Sequence, residues 1–164
     1  MTELFLKCIH VVLKHEGGFQ ANPSDWGNYA HGKLIGTKFG IAARYFPDED
    51  IVNLTVERAK EIYYKHYWLP MNLEGITDEL SVLHIFDHGV NAGRKRSILM
   101  AQELVRVKTD GICGSETKKA INSYWGFRDD FITSRIEYYE KISKVRNNIV
   151  FLQGWKNRVA RTYF

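Results

Sequence analysis

Most of this chain repeats apolar residues at the spacing of an α-helix, and this pattern constrains its fold more than any other feature. In the first segment the apolar residues fall on one helical face, and Gly17-Gly18 end the helix directly after Glu16. The pattern predicts six further helices. Thr55 caps the first and Thr77 begins the second; the others span about 95–106, Ser115 through Asn122, about 127–144 and about 149–163. A chain with so many amphipathic segments must pack helix against helix, which predicts a mainly α fold.

Residues 19–47 break the helical pattern. Glycine, asparagine, aspartate, proline and aromatic residues alternate there without a helical period, which predicts a loop region with short hairpins. The 164 residues are 45% hydrophobic and 26% charged, as in a single soluble domain, and this composition excludes disordered, collagen-like and coiled-coil chains. We therefore expect one mainly α globule with a small irregular lobe near the N-terminus, and loops of that kind commonly carry functional sites.

The charge of the chain is mildly positive and is spread along the sequence. Lys and Arg number 23 against 19 Asp and Glu, which gives a net charge of +4, and the densest basic run is Arg94, Lys95 and Arg96. Such a balance suits any polyanionic partner, including nucleic acid, anionic lipid or a cell wall. A nucleic-acid binder would need a clustered basic stripe, so we expect no nucleic-acid partner.

The N-terminal segment does not have the pattern of an export signal. Lys7, His10 and Lys14 interrupt its apolar face, and no small-residue cleavage site follows. No apolar run approaches the ~20 residues of a membrane span. We expect a monomer that is made in the cytoplasm without a signal peptide and does not insert stably into membranes. Cys8 and Cys113 lie far apart in the sequence, and whether they pair stays open.

Glu16 is the strongest candidate for a catalytic group. It lies at a helix end beside two glycines that would let a substrate approach, and a partly buried carboxyl there can act as a general acid. Asp25 follows after eight intervening residues, and paired carboxylates are the working groups of glycoside hydrolysis. The hydroxyl of Thr37 could help to hold water. The alternative is that Glu16 is a surface residue near a helix stop and Asp25 a turn residue.

Three aromatic residues accompany these carboxylates in the loop region. Trp26, Tyr29 and Phe39 offer flat faces on which the apolar faces of sugar rings stack, although core packing is the more common role of aromatic side chains. These residues are therefore candidates for a saccharide-binding groove in the irregular lobe.

Two histidines, His84 and His88, stand four residues apart on one predicted helix face. The metalloprotease pattern needs a glutamate directly after the first histidine, and Ile85 stands there instead. We predict structural roles for both histidines, with Asp87 bonded to His88 or to a backbone amide. The sequence contains no phosphate loop, dinucleotide fingerprint, nucleophile elbow or catalytic Cys-His pattern, so we expect neither a metal nor a cofactor.

Seven short motifs follow one another in a characteristic order over nearly the whole chain. They are HEGGF, NPSDWGN, TKFGIA, LTVERAKEIYYKHYW, FDHGVNAG, DGICGSET and GWKNRV. Together they resemble glycoside hydrolase family 108, a family of bacterial and phage N-acetylmuramidases that includes endolysin-like and prophage proteins and was once described as secretion activators. The resemblance implies a lysozyme-like α+β fold, a C-terminal peptidoglycan-binding part, and Glu16 as the catalytic acid. The spacing also resembles that of phage-type lysozymes, which implies roles for Asp25 and Thr37.

The chain departs from the family pattern after Asp25. The family there runs Pro-Gly-Gly with a threonine soon after, whereas this chain has Trp-Gly-Asn and an added stretch that places Thr37 farther along. Ala42 stands where the family pattern Gly-Ile-Thr ends, so that hydroxyl is missing. His31 or Tyr29 is an alternative group for orienting water.

These features lead to one functional hypothesis. We expect residues 1–86 to form a lysozyme-like catalytic part and residues 87–164 a helical peptidoglycan-binding part, packed as one globule. The chain would cleave the β-1,4 bond between N-acetylmuramic acid and N-acetylglucosamine, and inversion is favoured because no clear nucleophile lies close to Glu16 in the sequence. Asn91 would organise the site or contact a sugar. The partner would be the glycan strands of the cell wall, reached by holin-type release or a dedicated secretion path.

The alternative hypothesis is a non-catalytic peptidoglycan-binding or secretion-associated module with the same fold. Such a module would bind peptidoglycan and leave its glycan strands intact. The altered stretch over residues 26–36 keeps this alternative open.

Overall fold

Helices make up most of the structure. The computed structural model describes residues 1–145 and 148–164. Its helices are α1 (Glu3–Glu16), α2 (Val56–Tyr63), α3 (Leu69–Met71), α4 (Glu79–Ala92), α5 (Arg94–Leu104), α6 (Ser115–Ser123), α7 (Phe127–Ser143) and α8 (Ile149–Ala160). A π-helical turn, Tyr64–Trp68, joins α2 to α3, and a 3₁₀ turn spans Trp26–Asn28. The mainly α prediction is confirmed.

Local capping signals explain where these helices begin and end. The hydroxyl of Thr55 accepts a backbone N–H of the first turn of α2, as the sequence predicted. Helix α4 begins later than Thr77, because the side chain of Asp78 caps it. Helix α1 ends at Glu16, where Gly17 takes a φ of +74° that favours glycine.

Helix α4 runs through the centre of the molecule. Its nine residues from Ser81 to Gly89 are all buried, and it packs against α1, α5 and α7. Beside it, the rings of Phe5, Trp68 and Phe86 meet edge to face with centroids 5.1–6.1 Å apart. Because a helix buried on all sides leaves its polar side chains no access to water, each of them must find a partner inside the protein.

Two small antiparallel hairpins form the lobe between α1 and α2. Strands β1 (Tyr29–Ala30) and β2 (Lys33–Leu34) pair with each other, as do β3 (Thr37–Lys38) and β4 (Ile41–Ala42). Both hairpins turn through two residues of positive φ, which suits the right-handed twist of the strands. A bridge between Gln20 and Thr37 ties the lobe to the end of α1. The irregular lobe with short hairpins is also confirmed, so the fold is a lysozyme-like α+β fold.

Two further features bear on the sequence analysis. No helix in the ranges 1–145 and 148–164 combines the length and the apolar character that a membrane crossing requires. Cys8, in α1, and Cys113, before α6, are both buried free thiols, and burial raises the pKa of Cys8 to about 12.

Candidate active site

Glu16 is the last residue of α1, and its carboxylate is held by an arginine from the other end of the chain. Arg158 of α8 donates from Nη2 to Glu16 Oε1 at 2.8 Å. Only 17% of the Glu16 side chain and 11% of the Arg158 side chain are exposed. A carboxylate at the C-terminal end of a helix faces the negative end of the helix dipole, so this cation offsets an unfavourable position.

The same arginine belongs to a buried charge cluster, which comprises Asp87, Arg135 and Arg158. Asp87 of α4 and Arg135 of α7 are fully buried, and Arg135 Nη2 donates to Asp87 Oδ2 at 2.6 Å. Arg158 donates from Nε to Asp87 Oδ1 at 2.9 Å, and its Nη2 lies 2.8 Å from the same oxygen. Burial alone would raise the pKa of the Asp87 carboxyl, but the charges and hydrogen bonds of Arg158 and Arg135 lower it to about 2. Asp87 is therefore a permanent anion that orients both arginines.

The two histidines of α4 have structural partners in the core. Arg135 Nη1 donates to His84 Nδ1 at 2.9 Å, and His88 Nδ1 lies 3.2 Å from the hydroxyl of Tyr139. Burial is the main cause that lowers the pKa of His84 to about 4 and that of His88 to about 3. Both are neutral near pH 7. The expectation that Asp87 bonds His88 or a backbone amide is wrong, because the two arginines occupy its oxygens.

Asp25 and Thr37 lie in one hydrogen-bond network in the hairpin lobe. Asp25 Oδ2 accepts from Gln20 Nε2 at 3.3 Å, and that nitrogen also donates to Asn28 Oδ1 at 3.1 Å. The hydroxyl of Thr37 donates to the same Asn28 oxygen at 2.7 Å. The other Asp25 oxygen accepts the N–H of Gly27 and so caps the 3₁₀ turn. The buried Asn28 thus links the two predicted site residues through Gln20.

The β3–β4 hairpin connects this network to Glu16. Thr37 lies at its start, and Phe39 and Gly40 form its turn. Tyr63 of α2 donates its hydroxyl to the carbonyl of Phe39 at 2.9 Å. A side chain at Gly40 would collide with Glu16 Oε2 and the Tyr63 hydroxyl, and its φ of +73° also favours glycine. One short hairpin therefore touches both the predicted acid and the Asp25 network.

The aromatic candidates differ in how freely they face solvent. Trp26 is 76% exposed, and its ring lies 6.0 Å from that of Tyr29. The Tyr29 hydroxyl donates to the carbonyl of Pro23, whereas Phe39 packs partly against the core. Trp26 is the most accessible of the three for stacking on a sugar.

Two further candidates have defined positions. Asn91 is exposed near the end of α4, and its Oδ1 accepts from Tyr139 at 2.7 Å. His31, an alternative for orienting water, lies at the exposed tip of the β1–β2 hairpin.

Several residues of the site were not singled out by sequence reasoning. Arg158 lies within the motif GWKNRV, yet nothing near it in sequence points to Glu16, which is 142 positions away. Gln20 and Asn28 lie on either side of Asp25 in the sequence, but a glutamine or an asparagine does not by itself indicate catalysis. Tyr63 is a buried aromatic residue of α2, and its hydroxyl is directed at the hairpin turn.

Metal ligands do not gather in this region. Within the described ranges, no three His, Cys, Asp or Glu side chains form a group that could hold a metal ion. The chemistry available to the site is that of carboxylates, hydroxyls, amides and one arginine.

Comparison with known proteins identifies the family and the fold that this chain resembles. The model of a family described as glycosyl hydrolase 108 matches residues 9–93, just over half of the chain, and a model described as a predicted peptidoglycan domain matches residues 96–160. This chain is also similar to the solved structure of Brucella abortus SagA, with 25% sequence identity and a TM-score of 0.74. The match covers 96% of this chain and 90% of the SagA chain. A search of curated proteins finds no match.

The fold and the family models together support a peptidoglycan-related glycosidase or binding role. The chain belongs to glycosyl hydrolase family 108.

Proposed function

We propose that this protein hydrolyses the β-1,4 bond between N-acetylmuramic acid and N-acetylglucosamine in peptidoglycan, with Glu16 as the general acid. The observation that carries the proposal is the placement of Glu16. Its side chain is only 17% exposed, Arg158 holds Oε1 at 2.8 Å, and Oε2 lies against the hairpin turn. A carboxyl fixed in this way at the border of a polar lobe is suited to deliver a proton to a glycosidic oxygen.

The Asp25 network would supply the second half of the reaction. As Glu16 protonates the leaving oxygen and the C–O bond breaks, positive charge develops on the sugar ring. A water molecule held near Asp25 Oδ2 and the Thr37 hydroxyl would then form the new C–O bond and pass its proton to Asp25. Gln20 and Asn28 would orient both groups through the bonds described above.

Substrate would be held mainly by exposed groups of the lobe. Trp26, with Tyr29 beside it, offers a face for a sugar ring, and Phe39 lies in the hairpin turn next to Glu16. Asn91 Oδ1 accepts from Tyr139, and among residues 1–145 and 148–164 its amide nitrogen has no acceptor, so this nitrogen would donate to a sugar.

In this proposal residues 1–86 carry the chemistry and residues 87–164 bind the wall. Trp125, between α6 and α7, is fully exposed beside a cleft of about 230 Å³. Its position within the range that matches the peptidoglycan domain makes it the candidate for stacking on a second stretch of glycan. The protein would work at the bacterial cell wall, reached by holin-type release or a dedicated secretion path.

The second candidate function is a non-catalytic peptidoglycan-binding or secretion-associated module. One observation favours it: both Asp25 oxygens already accept hydrogen bonds inside the lobe. Oδ1 accepts the N–H of Gly27, as in a turn aspartate, and Oδ2 accepts from the side chain of Gln20. In that case Asp25 shapes the lobe and takes no part in hydrolysis.

Mass spectrometry of fragments released from purified peptidoglycan distinguishes these functions. We expect wild type to release muropeptides with reducing muramic acid, and Glu16→Gln to lose about 10²-fold or more of this activity. Glu3→Gln, on the same helix but exposed, is the matched control and should keep full activity. Fragments reducing at glucosamine would indicate a glucosaminidase, and free peptides an amidase or peptidase. No release by wild type, with wild type and Glu16→Gln both sedimenting with the wall, would establish the binding module.

A further inference from the structure

We propose that Arg158 is a positioning residue for Glu16, so that the region matching the peptidoglycan domain completes the catalytic centre formed by the region matching the hydrolase family. This inference rests on the proposed role of Glu16 as the acid. It concerns how the carboxyl group of that acid is oriented. Neither matched region could orient it alone, because Glu16 lies in residues 9–93 and Arg158 in residues 96–160.

The guanidinium of Arg158 serves two carboxylates at once. Its Nε and Nη2 both lie within 2.9 Å of Asp87 Oδ1, so one edge of the planar group is committed to Asp87. The second proton of Nη2 then points to Glu16 Oε1, 2.8 Å away. Because the plane of the guanidinium is fixed by Asp87, the direction of the bond to Glu16 is fixed as well.

The position of Arg158 is set by the core and not by Glu16. Asp87 is fully buried, and Arg135, also fully buried, holds its other oxygen at 2.6 Å. Moving Arg158 away would leave a buried carboxylate short of one of its two cations, which is strongly unfavourable. Glu16, at the end of its helix, therefore takes the orientation that Arg158 imposes.

This arrangement assigns different tasks to the two oxygens of Glu16. Oε1 is occupied by Arg158, so it is the anchored oxygen. Oε2 faces the Phe39–Gly40 turn, where the absence of a side chain at Gly40 leaves room for it. The geometry points to Oε2 as the oxygen that carries the proton to the substrate.

Arg158→Lys is the sharpest test, because it keeps a positive charge and removes the fork that binds both carboxylates. On soluble glycan fragments we expect kcat to fall about 10-fold or more with KM within twofold of wild type. Lys156→Met is the matched control. It lies on the same helix and removes the ion pair of Lys156 with Glu140, which is 2.6 Å long and only partly buried. Its kcat should stay at the wild-type level.

Arg158→Ala adds a readout that a merely structural residue would not move. We expect a larger loss of kcat, of about 100-fold, that free guanidinium ion at tens of millimolar partly restores without changing KM. Thermal unfolding of each variant establishes that it is folded. If Arg158→Ala does not fold, the kinetics of Arg158→Lys alone test the inference.

Two results would overturn the inference: a folded Arg158→Lys variant with wild-type kcat, or a loss of activity that follows the unfolding temperature and shows no rescue. Both are distinguishable from failure of the proposed function. If the proposed function failed, Glu16→Gln would retain activity, or wild type would release no fragments at all.

Discussion

The two sides of the candidate site are built in opposite ways. On the helical side, Asp87 and Arg135 are fully buried, and the three helices α4, α7 and α8 bring the buried charge cluster to Glu16 at the end of α1. On the hairpin side, Asp25 is exposed, Trp26 is 76% exposed, and each strand is two residues long. The proposed acid, Glu16, thus rests on tightly packed elements, whereas the groups expected to meet a polymer lie on loops that can adapt to it.

The difference also separates stability from activity. The helical side holds charges that cannot be removed without leaving others unpaired in the core. The hairpin side holds polar groups that can form hydrogen bonds with water if a protein partner is lost. Changes on the helical side should therefore reduce the free energy of unfolding, and changes on the hairpin side should mainly reduce turnover or substrate affinity.

The largest effect on stability is expected for Asp87→Asn. The change removes the charge that Arg135 and Arg158 share, and breaking a buried pair costs about 3–5 kcal/mol, or roughly 10 °C in Tm for a chain of this size. Urea and thermal unfolding measure the loss. Glu49→Gln breaks the more exposed pair with Arg58, 2.6 Å long, and should cost less than about 1 kcal/mol. Equal losses for the two variants would contradict the division between buried and exposed charges.

The helical side should also make the protein sensitive to acid. His84 and His88 have pKa values lowered to about 4 and about 3, so the unfolded chain binds protons at a higher pH than the folded one. Their contribution to stability is complete above pH ~6.5 and is lost as the pH falls toward these values. We expect the free energy of unfolding to drop by roughly 3 kcal/mol between pH 7 and pH 5. Asp87, with a pKa lowered to about 2, adds its own loss only below pH ~4.

Urea titrations at a series of pH values test this expectation, and His88→Asn provides the comparison. Asparagine can keep a donor near the position of Nδ1 but does not titrate, so this variant should show a shallower pH dependence. A wild-type stability that is flat from pH 7 to pH 5 would show that the two histidines are not held neutral by burial.

On the hairpin side, Asp25→Asn should reduce kcat by about 100-fold if Asp25 accepts the proton of the attacking water. An amide oxygen can still accept the N–H of Gly27, so the free energy of unfolding should change by less than about 1 kcal/mol. Fragment release and urea unfolding are measured together. Unchanged turnover would assign Asp25 to the turn alone.

The smallest effect is expected for Trp26→Ala. Loss of one stacking face should raise KM about fivefold, with kcat and Tm close to wild type, because the ring is exposed and supports little of the core. Tyr45→Ala, at another exposed aromatic, is the control and should leave KM unchanged. If both variants raise KM equally, the effect of Trp26 is not a specific contact with a sugar.

Prediction from sequence succeeded where neighbours along the chain decide the structure. Thr55 caps its helix and Gly17 ends α1 because those signals act within a single turn. The break over residues 19–47 was equally visible, since the helical period disappears there. The prediction of Asp87 as a partner of His88 failed because Arg135, 48 positions away, and Arg158, 71 positions away, compete for it.

The sequence by itself therefore determined the helices, the irregular lobe and the placement of Glu16 at a helix end beside glycines, because periodicity and capping act over a few residues. Only the tertiary structure decided that Arg158 meets Glu16 and that Asn28 links Asp25 to Thr37. Those partners follow from which helices and hairpins pack together, and that packing depends on burial summed over the whole core, which no local pattern contains.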